Sequence, residues 1–229
     1  MIVSHDWRFI FLKTRKTAGS SVELALSRIC GPLDIITPLM PAEEQSLRSG
    51  RGPQHYIRKG GPPRRIRSDG LPRVDLDTDF YNHMRAERIR EYVGPRIWRS
   101  YFKAGFVRNP WDRMVSSFHW RWIKEQDKSP AAFKRYLVAY EKDQQPLWST
   151  LSIDGTLALD FVGRFESLEL EFRRMLDQIG IREPLILPFA KTETRPADAR
   201  DYRIFYDEES KAAVAKHAAR DIAEFGYAF

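Results

Sequence analysis

A short apolar run that stops at a polar, small-residue turn constrains this chain more than any other feature. Residues 9–12 read FIFL, and they are followed by Lys13 and the turn 14–21, TRKTAGSS. After the turn, apolar residues recur at the spacing of one buried helix face: Val22, Ala25, Leu26 and Ile29. The pattern predicts a strand, a tight turn and a helix. With this arrangement α/β proteins present backbone N–H groups and a helix N-terminus to an anion.

This first junction, residues 13–21, carries groups suited to a phosphate-like anion. Lys16 supplies a positive charge, Gly19 allows close approach of the backbone, and three residues offer hydroxyl donors: Thr17, Ser20 and Ser21. The sequence differs from the Gly-Lys-Ser/Thr ending of the ATP-binding loop, since Lys16 precedes Gly19. An ordinary strand-to-helix turn without a ligand remains the alternative at this point.

Residues 103–118, KAGFVRNPWDRMVSSF, predict another junction of the same kind. Asn109 suits the N-cap of a helix, Pro110 its first position and Asp112 its first turn. The apolar stripe of this helix is expected to pack on the sheet, and it comprises Trp111, Val115, Phe118 and Trp122.

Two polar side chains of this second junction, residues 108–116, suit a phosphate monoester. Arg108 follows the predicted strand directly, and open α/β sheets bind ligands at the carboxyl ends of their strands. Ser116 lies off the apolar stripe, so that a guanidinium and a hydroxyl converge on one place. Arg113 has two open interpretations, a phosphate contact or a salt bridge on the helix surface.

Both junctions resemble those of one family. Residues 16–21, KTAGSS, resemble the 5′-phosphosulfate loop of sulfotransferases that use 3′-phosphoadenosine 5′-phosphosulfate (PAPS). Residues 108–116, RNPWDRMVS, resemble that family's 3′-phosphate motif, Arg-(Asn/Asp)-Pro-x-x-Arg-x-x-Ser. The run FVGRFE at 161–166 is similar to one that recurs in bacterial and carbohydrate sulfotransferases, and we assign it mainly to the fold.

The resemblance implies a fold, a cofactor and a set of contacts. The fold is α/β and P-loop-like, with a central, mainly parallel sheet flanked by helices. The cofactor is PAPS, its product is 3′-phosphoadenosine 5′-phosphate (PAP), and no metal is expected. Lys16 is also implied to be catalytic, because it stabilises the leaving bisphosphate. The resemblance implies cofactor contacts at the two junctions, and these are Lys16, Thr17, Ala18, Gly19, Ser20, Ser21, Arg108 and Ser116. It also implies contacts from a loop that covers the cofactor in relatives, and these are Lys191, Thr192 and Arg195.

A base must also remove the acceptor's proton, and histidine is the natural candidate because its ordinary pKa is near 6.5. His83, in the run DFYNH at 79–83, has a context that resembles uronyl 2-O-sulfotransferases. Their catalytic histidine follows a Phe-Tyr pair ahead of the 3′-phosphate motif. We therefore predict His83 as the base. Glu87 is the second candidate, since other branches of the family use a glutamate, and His119 is open to a structural interpretation.

Composition favours an anionic partner and a single domain. The chain has 229 residues, a net charge of +7 and a pI near 9.5. Residues 48–73 are rich in Gly, Pro and Arg, so within the domain 1–229 they are expected to form a basic excursion. It is interpreted either as a mobile surface loop or as a flap that captures an anion. The sequence shows neither a signal region nor a bilayer-spanning apolar run, so we expect a cytoplasmic protein of the bacterial type.

Two other functions remain open. An ATP-dependent small-molecule or nucleotide kinase would share the loop chemistry, although residues 157–160 resemble a Walker B strand only superficially and Asp160 is expected in a turn. A non-enzymatic binder of nucleic acid or another polyanion would use residues 48–73, but it leaves both phosphate junctions unexplained. We therefore expect an acceptor with a hydroxyl group, glycans included, and no nucleic acid.

Overall fold

A mainly parallel sheet lies at the centre of the computed structural model, which describes residues 1–40, 46–57, 79–121, 127–140, 145–188 and 201–229. The strands of this sheet are β1 (Ile2–Ser4), β2 (Phe9–Leu12), β3 (Ile35–Ile36), β4 (Phe102–Val107) and β7 (Phe161–Arg164). Their order is β3-β1-β2-β4-β7. The strands β2, β4 and β7 are parallel neighbours, whereas β1 runs antiparallel to β2 and to β3. Four of the five strands therefore point the same way.

Helices connect and flank these strands. They are α1 (Gly19–Leu26), α2 (Ala86–Ser100), α3 (Pro110–Arg121), α4 (Pro130–Tyr140), α5 (Trp148–Leu151), α6 (Leu168–Ile179), α7 (Glu208–His217) and α8 (Ala219–Phe225). Two 3₁₀ turns cover Phe165–Ser167 and Tyr202–Phe205, and a small hairpin pairs β5 (Ser152–Ile153) with β6 (Thr156–Leu157). Among the described residues, no helix is both long and apolar enough to cross a membrane.

The sheet buries apolar side chains on both faces, as the continuous apolar run in β2 predicts. Phe9 and Phe11 lie on one face, where they pack in a cluster with residues of α1 and α6. Ile10 and Leu12 alternate to the other face and pack with residues of α2, α5 and α8. The α/β fold with helices on both faces is therefore confirmed, and its parallel strands carry both junctions to the same edge.

Helix α3 packs differently from the prediction. Trp111, Val115 and Phe118 are buried, but their cluster is made with residues of α4, α7 and the 3₁₀ turn Tyr202–Phe205. The expectation that this stripe packs on the sheet is wrong for these three residues, and Trp122 lies outside the described part of the chain. The apolar face is turned toward other helices, so a different face of α3 is left for the site.

Three further local differences have simple physical causes. Strand β1 was not predicted, because its three residues are too few to show a period. Helix α2 has non-helical angles at Gly94, but Pro95 suits a first helical position and the helix resumes. The first part of the basic segment, 48–57, packs on the body: Gln54 bridges to Ile36 and Arg51 Nε donates to the Cys30 carbonyl at 3.0 Å. Residues 58–73 lie outside the described ranges.

Candidate active site

The first junction is fastened to the neighbouring strand β4. Thr14 Oγ1 donates to the Phe106 carbonyl at 2.5 Å and lies 2.7 Å from Thr17 Oγ1. This contact follows from the register, since Leu12 of β2 is paired with Gly105 of β4 and the two strands continue in parallel. The turn therefore lies at the carboxyl end of two adjacent parallel strands, where α/β sheets bind ligands.

The backbone of this turn is arranged to hold an anion. Lys16 and Ala18, on either side of Thr17, both have positive φ angles, 63° and 58°. Backbone that alternates between right- and left-handed conformations turns successive N–H groups to one side and forms an anion-binding concavity. Ala18 is also the N-cap of α1, and its methyl group cannot accept a hydrogen bond from the first turn. An anionic ligand is well suited to meet the N–H groups of that turn.

A buried ion pair supports the turn from below. Lys13 Nζ lies 3.0 Å from Glu23 Oε2, and both side chains are almost completely buried. Although burial by itself would raise it, the ammonium of Lys13 holds the pKa of Glu23 below its ordinary value. Thr37 Oγ1 donates to the other carboxylate oxygen at 3.1 Å. Lys13 is thus a structural residue, and Lys16 is the lysine at the rim of the turn.

Gly19 is required by this packing. A Cβ atom at position 19 would lie 2.6 Å from Cγ of Lys13, which real Cβ contacts do not allow. The sequence indicated close approach of the backbone to a ligand at this glycine. The structure shows close approach to the Lys13 side chain, so the glycine lets the buried ion pair lie directly beneath the helix N-terminus.

The two predicted junctions are in direct contact. Arg108 Nη1 donates to the Lys16 carbonyl at 3.0 Å, and Arg108 Nε donates to Asp112 Oδ2 at 2.7 Å. The guanidinium carbon lies 3.8 Å from the centroid of the Phe165 ring, which stacks on it. The register brings the two residues together, because Arg108 and Phe165 directly follow Val107 and Arg164, which are paired at the ends of β4 and β7. Arg108 is therefore held in one plane at the edge of the first junction.

Asn109 is held by residues that are distant in sequence. Its side chain caps α3, accepting from the Trp111 N–H at 3.0 Å, as predicted, and donates to the Ala228 carbonyl at 2.8 Å. Its backbone N–H donates to Glu166 Oε1 at 2.6 Å, and the Tyr227 hydroxyl donates to Glu166 Oε2 at 3.1 Å. Burial, with the Glu166 carboxylate nearby, raises the pKa of Tyr227 above its ordinary value.

The residues around Asn109 were missed as parts of the site. Phe165 and Glu166 lie in the run 161–166, which was assigned mainly to the fold, although its recurrence in related sequences was a usable signal. Tyr227 and Ala228 carry no local pattern in the sequence that points to this role. They reach the second junction only because the chain folds back after α8.

The exposed side of α3 carries Ser116, and its buried side carries Arg113. Ser116 is partly exposed, as are Asp112 and Trp120 one turn before and after it, whereas the residues between them are buried. Arg113 is 1% exposed, so the surface salt bridge considered from the sequence is wrong. An oxygen of the Asp221 carboxylate lies 3.9 Å from its Nη2, and burial lowers the pKa of the guanidinium.

His83 lies against the first junction. It has a positive φ of 64°, and its Nδ1 is 3.2 Å from the Lys13 carbonyl oxygen. A carbonyl only accepts hydrogen bonds, so Nδ1 carries the proton and Nε2 carries the lone pair. Burial lowers the pKa of His83 well below its ordinary value, and the charges of Lys13 and Arg15 lower it further. A neutral imidazole whose Nε2 carries the lone pair therefore adjoins the turn.

The other candidates for acid–base and cofactor roles occupy different places. Glu87 is exposed in the first turn of α2, and His119 is buried against the rings of Phe118 and Phe205. Asp160 precedes β7, as expected, and its carboxylate lies 2.7 Å from Lys103 Nζ, at the opposite end of the parallel strands from the junctions. The loop at 191–195 lies outside the described residues, and with it three predicted cofactor contacts: Lys191, Thr192 and Arg195.

Comparison with known proteins identifies the family. A family model described as the sulfotransferase family matches residues 1–228. An uncharacterized protein of Archaeoglobus fulgidus is 29% identical over 104 residues, which cover 44% of this chain and 87% of that protein. No solved structure matches the chain. Since the family model spans nearly the whole sequence, the chain belongs to the sulfotransferase family, and it is accordingly a transferase of sulfuryl groups.

Proposed function

We propose that this sulfotransferase takes its sulfuryl group from PAPS and transfers it to a hydroxyl group of a carbohydrate or another small molecule. One observation carries the proposal: Arg108 of the second junction donates to the backbone of Lys16 in the first, at 3.0 Å. Two sites suited to phosphate-like anions thereby adjoin each other at one edge of the sheet. A donor with a phosphate at its 3′ position and a phosphosulfate at its 5′ position offers two such anions on one nucleoside.

The first junction fits the 5′ end of this donor. Lys16 brings a positive charge, and the concave backbone around Ala18 offers N–H donors at the start of α1. Thr17, Ser20 and Ser21 are largely buried, and we assign their hydroxyls to the binding of the same anion. When it binds, PAPS supplies the sulfuryl group and a bisphosphate leaving group. Lys16 neutralises charge that develops on the bridging oxygen, which is the main way a protein accelerates such a transfer.

The second junction fits the 3′-phosphate. A guanidinium has five N–H donors, so Arg108 can keep its bonds to Asp112 and Lys16 while it binds a phosphate. Phe165 and Asp112 fix its plane, and a preorganised donor loses little conformational entropy on binding. Ser116, two turns into α3 on the partly exposed face, adds a hydroxyl donor.

We assign removal of the acceptor's proton to His83. Its Nδ1–H is engaged by the Lys13 carbonyl, so Nε2 is the atom available to accept a proton. The lowered pKa keeps the imidazole neutral at pH 7, the form that a general base requires. Glu87 is the weaker candidate, because its exposed position at the start of α2 brings no comparable contact with the first junction.

Calorimetric titration with PAP tests the donor assignment. We expect micromolar binding of PAP by the wild-type protein, no matching affinity for ATP with Mg²⁺, and a large loss of PAP affinity in Lys16→Ala and Arg108→Ala. Lys216→Ala and Arg174→Ala are matched controls, since both residues are exposed on helices α7 and α6 and should leave binding unchanged. If ATP with Mg²⁺ binds instead, the protein is a kinase and the proposal is wrong.

A second experiment tests the base. With PAP binding established, an acceptor screen with PAPS provides an activity, and His83→Ala is expected to lower kcat by about 10²- to 10⁴-fold with little change in PAP affinity. Glu87→Ala should change kcat by less than about threefold, because the carboxylate is exposed to water. A large loss in Glu87→Ala and a small one in His83→Ala would reassign the base.

A further inference from the structure

We propose that Trp120 is a positioning residue for Lys16: its indole ring holds the ammonium at the rim of the first junction, ready to meet the donor. The Lys16 ammonium nitrogen lies 5.1 Å from the centroid of the Trp120 ring, within the range of a cation–π interaction. This inference rests on the proposed function, because the role of Lys16 in donor binding belongs to it. It assigns a role to a tryptophan that the phosphate motifs themselves do not contain.

Trp120 stands on the side of α3 that faces the site. Asp112, Ser116 and Trp120 are spaced by four residues, which places them on one helix face. All three are partly exposed, whereas residues 113–115 and 117–119 between them are buried. Asp112 binds Arg108, Ser116 is the proposed phosphate contact, and Trp120 meets Lys16. This face of α3 is therefore turned toward the first junction over about two helical turns, from Asp112 to Trp120.

Lys16 is thus contacted at both ends by one continuous segment, residues 108–120. Arg108 donates to its carbonyl oxygen at 3.0 Å, and Trp120 lies under its ammonium. A positive φ of 63° at Lys16 sets the direction in which its side chain leaves the turn. A free lysine side chain loses much rotamer entropy when it is fixed, so a ring that already limits its conformations lowers the free-energy cost of binding.

Substitutions of Trp120 that weaken or remove the aromatic ring should lower PAP affinity by graded amounts. Tryptophan binds cations better than phenylalanine, and leucine has no ring face. We expect PAP affinity in the order wild type, Trp120→Phe, Trp120→Leu, with roughly a threefold to tenfold loss in the leucine variant, the range of a partly exposed cation–π contact. Thermal unfolding should stay close to wild type in both variants, since Trp120 is partly exposed and has no place in the buried cluster of α3.

Trp98→Leu is the matched control. Lys103 Nζ lies 5.7 Å from the Trp98 ring, so this substitution also removes a tryptophan–lysine contact. Lys103 is near the amino end of β4, away from the junctions, and PAP affinity should therefore be unchanged. An equal loss in Trp98→Leu and Trp120→Leu would show a general effect of removing tryptophan and would overturn the inference.

A double-mutant cycle separates positioning from direct contact. In the Lys16→Ala background, Trp120→Leu should have no further effect on the PAP affinity that remains, measured at high protein concentration, because a residue that acts through Lys16 has nothing left to position. The same loss in both backgrounds would mean that Trp120 contacts the ligand by itself, and it would overturn the positioning role.

An NMR measurement tests the contact without any ligand. Protons on Cε of Lys16, assigned by their disappearance in Lys16→Ala, should be shifted upfield by the ring current of Trp120. The shift should vanish in Trp120→Leu and persist in Trp98→Leu; an unshifted wild-type resonance would overturn the inference. The two possible failures are distinguishable. A wild-type protein that binds no PAP overturns the proposed function, whereas PAP binding that is unchanged in Trp120→Leu overturns only the role of Trp120.

Discussion

The two junctions occupy the same edge of the sheet, but they are held in place in different ways. The first junction, residues 13–21, is supported by buried contacts: Thr14 bonds to Phe106 of β4, and Lys13 pairs with Glu23 of α1. The second junction, residues 108–116, is supported by partly buried contacts from later segments of the chain. Glu166, Tyr227 and Ala228 all contribute hydrogen bonds to Asn109 or to the carboxylate that binds it.

Because of this difference, we expect substitutions that remove the support of each junction to have different effects on stability and on donor binding. The support of the first junction is a buried ion pair in the core between β2 and α1, so its loss should strongly destabilise the fold. The support of the second junction lies nearer the surface and aims one guanidinium and one hydroxyl. Its loss should leave the fold intact and lower the affinity for the donor. The predictions below test this division.

The largest effect is expected from Glu23→Leu. The substitution leaves the Lys13 ammonium buried without its carboxylate partner at 3.0 Å, which typically costs about 3–5 kcal/mol of unfolding free energy. Urea unfolding of the purified protein measures it. The double variant Lys13→Met/Glu23→Leu removes both charges of this pair and should recover part of the loss, because the buried Met1 amino group, 3.1 Å from the same Glu23 oxygen, still loses its partner. No recovery in the double variant would mean that Glu23 acts through Thr37 or another partner and not through the lysine.

A smaller and different effect is expected from Glu166→Ala. The change removes the acceptor of the Asn109 N–H, at 2.6 Å, and of the Tyr227 hydroxyl, at 3.1 Å. Because the carboxylate is partly open to solvent, we expect unfolding free energy to fall by no more than about 1 kcal/mol and PAP affinity to fall roughly tenfold. Calorimetry with PAP, beside urea unfolding, measures both quantities.

Glu169→Ala provides the control for that experiment. Glu169 is exposed in the first turn of α6, three residues further along, and its loss should change neither quantity. If Glu166→Ala instead unfolds the protein as strongly as Glu23→Leu, the division between the two junctions does not hold.

The sequence predicts the first junction better than the second because the patterns that define the first are local. The apolar run, the turn and the helix periodicity lie within about twenty residues, and each is visible as a pattern. Arg108 and the Asn109 cap were also predicted, since Arg108 directly follows the strand β4 and Asn109 directly precedes the helix α3. Phe165 becomes visible as a partner only through the register of β4 and β7, and Tyr227 only through the return of the chain after α8.

Burial was the other property that the sequence could not supply. Arg113 is charged and sits in a motif, so a surface ion pair or a ligand contact were the reasonable expectations, yet it lies inside the molecule. The direction in which α3 turns its apolar face depends on α4, α7 and the 3₁₀ turn at Tyr202–Phe205, which pack on it from later parts of the chain. No local pattern encodes that choice.

The pH dependence of His83 probes the edge of the first junction. Its pKa in the folded protein is well below the value near 6.5 of the unfolded chain. Below pH 6.5 the unfolded chain therefore binds a proton that the native protein does not bind. Unfolding free energy should fall with decreasing pH by up to about 1.4 kcal/mol per unit until the folded pKa is reached. Activity should stay level through pH 6.5, because the base remains neutral.

Urea unfolding of wild type and His83→Gln at several pH values isolates this contribution. Glutamine keeps a donor for the Lys13 carbonyl but does not titrate, so the variant should lose part of the slope between pH 6.5 and 5. An NMR titration of the His83 Cε1 proton locates the folded pKa itself. A midpoint at or above 6.5 would show that burial and the charges of Lys13 and Arg15 do not lower the pKa of the ring as the geometry indicates.

The smallest effect is expected from Ser116→Ala, which removes one hydroxyl that we assign to phosphate binding at the second junction. The hydroxyl lies on the partly exposed face of α3, where alanine is a better helix former, so stability should stay the same or rise slightly. Loss of one hydrogen bond to a phosphate should lower PAP affinity by about 0.5–1.5 kcal/mol, roughly twofold to tenfold. Ser117→Ala is the matched control, because that hydroxyl is buried on another side of the same turn. A loss of affinity confined to Ser117→Ala would mean that α3 is rotated relative to the donor, and the phosphate contact would then have to come from the buried face.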